Sequence, residues 1–147
     1  MRSLAQTQIL RIPAAGATLT GDLVVPVDAR GIVIFAHGSG SGRHSHRNQL
    51  VARTLQQSQF GTLLIDLLTS EEERVDNRTR EHRFNIAMLA ERVGALIEWT
   101  AANATLKHLP IGLFGASTGA AAALIAAANH PTLVKSIVSR GGRPDLD

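Results

Sequence analysis

The sequence predicts an α/β protein, a mostly parallel, doubly wound sheet of about six strands in a single domain over residues 1–147. Three observations carry this. The runs "GIVIFAHG", "GTLLIDLL" and "PIGLFGA" are continuously apolar at their centres, as strands covered on both faces must be. Segments of helical period separate them, and strand–helix alternation implies parallel strands joined by crossovers. With 147 residues, 44% of them hydrophobic, the chain can bury one real core, and neither an internal repeat nor a second domain fits.

The elements follow in chain order. "TQILRI" (residues 7–12) reads as a short strand and "AAGA" as a turn. "TLTGDLVVP" then alternates Leu19, Gly21, Leu23 and Val25 on one face, so the two segments form an antiparallel opening hairpin that ends at Pro26 and Asp28. After the first buried strand comes a loop rich in glycine and serine, "GSGSGRHSHRN". Leu50, Val51 and Leu55 then recur at helical spacing, with Asn48 as the expected cap. "TSEEERVDNRTREHRFN" is polar and aperiodic and reads as a surface excursion. Ile86, Leu89, Ala90, Val93, Leu96 and Ile97 define a helix from Phe84 to about Ala101. "STGAAAALIAAAN" is a helix following the third buried strand, and "TLVKSIVSRGG" supplies the last strand. The predicted order is β–β–β–α–β–α–β–α–β, with about three helices.

Composition removes several function classes. Without a single Cys, neither a disulfide framework nor a thiolate metal site is possible, and the cytoplasm is the expected location. Net charge is only +3 and the arginines are scattered, which argues against a nucleic-acid face. The N-terminal "MRSLAQTQILRIP" has no long apolar stretch of the signal-peptide kind. The longest apolar run, residues 120–128, falls well short of the roughly 20 residues that span a bilayer.

Chemistry concentrates in "IGLFGASTGAAAALIAA". Gly115-Ala116-Ser117-Thr118-Gly119 matches G-x-S-x-G between a predicted strand and a predicted helix, the setting in which that motif exposes a nucleophilic hydroxyl. Ser117 also suits an ordinary helix N-cap, so the strand–turn–helix context carries the sharper assignment. Glycines must flank the serine because the turn is tight and backbones pass closely. The helix N-terminus supplies positive potential, and the Thr118 N–H is one expected oxyanion donor. The second donor is expected from "HGSGS" after the first central strand, at Ser39 or Gly40 with Gly38 beside them, and His37 shapes that wall. Arg43, His44 and Arg47 form either a solvated basic rim or a seat for an anionic substrate.

With these residues in place, the chain resembles the α/β-hydrolase superfamily and, within it, the dienelactone-hydrolase-like group. The matching stretches are "GDLVVP", "GIVIFAHGSGSGRHSHRN", "GTLLIDLLTSEEE", "IGLFGASTGAAAAL" and "SIVSRGGRPDL", in that order along nearly the whole chain. The resemblance implies a serine hydrolase acting on a small-molecule acyl substrate (an ester, a lactone or a related bond) with no metal and no organic cofactor. The group's namesakes often carry Cys at the nucleophile position, where this chain has Ser117.

Family order places an acid and then a histidine after the serine. Here the sole histidine after Ser117 is His130, which lies 13 residues on, at the far end of the same helix. At 1.5 Å per residue it is roughly 20 Å away, whereas a general base works at about 3 Å. The acids after Ser117 are Asp145 and Asp147, in the final tail. Upstream, His37, His44 and His46 are the histidines nearest the serine in the predicted topology; His82 and His108 read as surface residues. The chain therefore resembles the first two-thirds of a hydrolase, truncated after about six strands. Its last strand, "LVKSIVS", would be an edge available to a second copy, giving a homo-oligomer.

Two rival classes exist. One is a non-catalytic scaffold or interaction protein on the hydrolase fold. The other is a nucleotide- or anion-binding module built on Gly38, Gly40 and Gly42, but both phosphate-loop patterns require glycine where Arg43 stands.

Overall fold

The computed structural model describes residues 6–37, 42–80, 82 and 85–140. Among them run β1 (Gln8–Ala14), β2 (Ala17–Val24), β3 (Gly31–Ala36), α1 (His46–Gln57), β4 (Phe60–Ile65), α2 (Ser70–Thr79), α3 (Ile86–Ala102), β5 (Ile111–Ala116), α4 (Thr118–Asn129) and β6 (Val134–Arg140). They build one six-stranded sheet in the order β1-β2-β4-β3-β5-β6. The opening hairpin is antiparallel, β2 joins β4 antiparallel, and β4, β3, β5 and β6 are parallel to one another. The expected mostly parallel α/β sheet is thus present. Ala15 and Gly16 both have positive φ, 48° and 82°, as a two-residue hairpin turn that matches strand twist requires.

Helices cover both faces. On one, Leu89, Val93, Leu96 and Ile97 of α3 and Ala122, Ala123 and Ala126 of α4 pack over Ile12, Leu19, Ile34, Leu63 and Leu113. The alanines let α4 approach closely. On the other, Ala52 of α1 covers Phe35, Leu64 and Phe114. Phe35 and Phe114 are register partners on neighbouring strands, with ring centroids 5.0 Å apart. Each large aliphatic side chain fully buried in this way contributes about 1.5–3 kcal/mol.

Two local expectations are corrected. The "SEEERVDNRT" stretch is not an irregular excursion but helix α2. Thr69 accepts from the Glu72 N–H and Glu72 accepts from the Thr69 N–H, a reciprocal capping box that starts a helix with no apolar periodicity. Four helices therefore stand among the described residues, where about three were expected. The cap of α1 is Ser45, not Asn48: Asn48 lies inside the helix, buried, and its N–H reaches the Ser45 hydroxyl. No helix among the described residues is long and apolar enough to cross a membrane.

Candidate active site at the C-terminal edge of the sheet

Three adjacent parallel strands end together. Phe35 pairs with Leu64, and Ala36 with Gly115. The first residues beyond β3, β4 and β5 are His37, Asp66 and Ser117. In open α/β sheets, ligands bind outside these carboxyl ends.

Ser117 links β5 directly to α4 with φ 54° and ψ −125°. A non-glycine residue with this pair of angles is strained, at a cost of about 1–3 kcal/mol. The hydroxyl makes no capping hydrogen bond, so the simple N-cap role is not used. Strain without capping is what separates this serine from the caps of α1 and α2.

Both motif glycines are sterically required. A Cβ on Gly115 would lie 2.6 Å from Ala120 Cα, and one on Gly119 would fall on the carbonyl oxygens of Ala36 and His37. Sharp turning thus presses the start of α4 against the end of β3. Thr118, buried at 4% exposure, opens α4, and first-turn amides of a helix bond outside the helical ladder.

His37 is buried, and its Nε2 accepts the Leu67 N–H at 2.9 Å. An amide N–H can only donate, so Nε2 carries the lone pair and the ring proton of the neutral imidazole sits on Nδ1. The nitrogen able to act as a base is therefore occupied by a structural bond. That bond leaves His37 Nε2 without a free lone pair for the work of a base.

Arg43 is not an open anion seat. Its Nε and main-chain N–H hold Asp66 at 3.0 and 2.6 Å, and its NH1 reaches Asp22 of β2 at 2.8 Å. Two carboxylates satisfy its charge within the fold. Gly42 fits the same clamp, since a Cβ there would lie 2.6 Å from Asp66 Oδ1. His44, His46 and Arg47 are exposed, before and in the first turn of α1. Gly38, Ser39, Gly40, Asp145 and Asp147 lie outside the described residues.

His130 caps the far end of α4. Its ring packs on Gly94, bonds Ala126 O through Nδ1 at 2.9 Å and lies 3.8 Å from Glu98, all remote from Ser117. A groove of about 830 Å³ beside it, between α3 and α4, is lined by Ala90, Gly94, Glu98, Ile125 and Ala126 and does not reach Ser117. His108 is exposed and His82 half-buried.

Sequence reasoning missed a buried ion pair beside this edge. Arg92 of α3, 5% exposed, donates to both Glu72 carboxylate oxygens at 2.6 and 2.7 Å and to Leu67 O at 2.7 Å. The Arg92 hydrogen bonds hold the Glu72 carboxyl at about 2, well below its ordinary 4.5, against the opposing effect of burial. Two signals existed: an arginine on the apolar face of α3 and the T-x-x-E spacing of the capping box.

Residues 31–147 match the family model of the alpha/beta hydrolase fold. The structure of dienelactone hydrolase from Anabaena variabilis is 52% identical, with TM-score 0.95, over 98% of this chain and 67% of that one. A cold-adapted esterase from an Arctic intertidal metagenomic library shares the fold at 18% identity and TM-score 0.71, over 95% of this chain and 62% of that one. Proteins of two Mycobacterium tuberculosis strains, provisionally named phosphoribosyl transferase, are 51% identical over 137 residues, or 93% of this chain. The chain spans 30% of the length of these curated relatives.

Proposed function

Because the chain belongs to the α/β-hydrolase family, in its dienelactone-hydrolase-like group, we propose that it is the nucleophile-bearing part of a serine hydrolase cleaving an ester, lactone or related acyl bond. Ser117 attacks the acyl carbon. The Thr118 N–H is one donor to the oxyanion, and residues 38–41 carry the second, at Ser39 or Gly40. One observation carries this: the strained, uncapped Ser117 between β5 and α4, with Gly115 and Gly119 packed too tightly for any side chain. Strain at an irreplaceable turn points to a hydroxyl held for chemistry.

The proposal assigns neither acid nor base within the described residues. His37 Nε2 is engaged and His130 is remote. The Anabaena enzyme is longer by about a third of its chain, and the proposal puts both groups in polypeptide equivalent to that part. Without them, binding and oxyanion stabilisation still leave a residual acceleration of about 10³–10⁴. Turnover by the 147-residue chain alone is expected to be weak. The transferase name belongs to the mycobacterial proteins, of which this chain spans 30%, and is not carried over to this chain, nearly all of which superposes on a hydrolase.

A fluorophosphonate probe tests the reading. Peptide mass spectrometry should locate the adduct on Ser117, and Ser117→Ala should lose it. An adduct spread over unrelated serines, or labelling that Ser117→Ala retains, favours the non-catalytic scaffold. A rise in melting temperature with ATP or NAD but not with an acyl probe favours the nucleotide-binding module.

A further inference from the structure

The turn after β4 is held from both sides by polar contacts that begin at the candidate site and end on a buried cation. On one side, the Leu67 N–H donates to His37 Nε2 at 2.9 Å. On the other, the Leu67 carbonyl accepts from Arg92 NH1 at 2.7 Å. Leu67 itself is fully buried. The same guanidinium forks onto Glu72, whose Oε1 also takes the Thr69 N–H at 2.9 Å. Residues 67–72 are thereby locked around Arg92.

Stability alone does not explain an arginine at this place. Removing a guanidinium from water is costly, and buried ion pairs are often matched by apolar residues of similar volume. Its Nε, buried as well, has no hydrogen-bond partner, so the group is not fully compensated. What the fork supplies is geometry: two parallel N–H···O contacts in a fixed plane fix the position of the third.

We propose that Arg92 is a positioning residue for the hydrolytic site. By holding the Leu67 carbonyl it aims the Leu67 N–H at His37 Nε2. That bond fixes the ring and main chain of His37, whose carbonyl oxygen is the surface Gly119 packs on. The path from Arg92 to the Ser117 bend runs through Leu67, His37 and Gly119, without Arg92 touching substrate. The proposal rests on the Ser117 reading for its effect on rate, but not for its effect on His37.

The test uses the full chain labelled with ¹⁵N at histidine, with folding checked by circular dichroism. In the unmodified protein His37 should show an unprotonated Nε2 and a protonated Nδ1. Arg92→Met, of similar volume, should stay folded yet shift His37 toward tautomer averaging. It should also slow Ser117 phosphonylation about tenfold to a hundredfold, as small misplacements near a reacting centre do. Arg92→Lys should restore part of both. Should Arg92→Met not fold, Glu72→Gln, which loosens the fork but keeps the cation, should shift the same His37 resonances. Unchanged His37 resonances in a folded variant overturn the proposal. If the resonances move but Arg92→Met leaves the rate of Ser117 phosphonylation unchanged, the link to the Ser117 reading fails and the positioning of His37 stands.

Discussion

Gly119 of α4 lies against Ala36 of β3 so closely that a Cβ built on it would fall on the Ala36 carbonyl oxygen. Backbone cannot yield as a flexible side chain does. Gly119→Ala is therefore expected to destabilise the fold by about 2 kcal/mol or more, in the range of overpacked cores. It should also displace the Ser117 bend. Urea denaturation measures the first effect and phosphonate labelling the second; a variant as stable as the unmodified chain contradicts the contact.

Ser117 itself should behave oppositely. At φ 54° the side chain is tolerated rather than favoured, and glycine occupies such conformations without strain. Ser117→Gly is expected to be about 1 kcal/mol more stable than Ser117→Ala, while both lose the labelled hydroxyl. Equal denaturation midpoints for the two would show that the bend carries no strain.

Glu72 sets an acid-side limit on stability. Its folded pKa of about 2 lies below the ordinary 4.5, so the folded state binds this proton less tightly than the unfolded state does. The contribution is complete above about pH 4.5 and is lost as pH falls toward 2. Glu72→Gln should flatten that part of the stability–pH curve. At neutral pH it should cost about 2 kcal/mol, because Arg92 is left buried with a weaker partner. Thermal melts of both proteins between pH 2 and pH 7 test this, and parallel curves would refute it.

The clamp on Arg43 gives a different expectation. Removing it leaves Asp22 of β2 and Asp66 just past β4 without the cation they share. Arg43→Ala should cost about 1–2 kcal/mol, since the three side chains are partly exposed. Asp22→Asn combined with Arg43→Ala should cost less than the sum of the two single changes. Strict additivity in the double-mutant cycle would mean that the pair is uncoupled.

These cases show why some of the architecture was legible from sequence and some was not. The buried strands announced themselves because "GIVIFA" and "IGLFGA" carry no polar interruption, and G-x-S-x-G was readable because its glycines answer a local steric need. Helix α2 was hidden because it has almost no apolar face; two reciprocal hydrogen bonds at Thr69 and Glu72 start it, and α3 holds it through Arg92. Arg43 looked like a free cation because its partners Asp22 and Asp66 are distant in sequence, brought close only by the β2–β4 pairing.

β6 carries the last prediction. Ile137 and Val138 are consecutive and so point to opposite faces of the sheet, yet they are 36% and 55% exposed. Leu124 on the neighbouring α4 is 45% exposed, and with Val134 and Ile137 it lines a shallow apolar groove. Among the described residues β6 is the outermost strand of the sheet, next to β5. Such an edge templates pairing with another strand, and charge on an edge suppresses it. The chain is expected to associate with a second copy through β6, and Val138→Lys to shift the distribution toward monomer. Light scattering over a range of concentrations decides: a wild type that stays monomeric when concentrated, or a Val138→Lys protein that associates equally well, removes β6 as the contact.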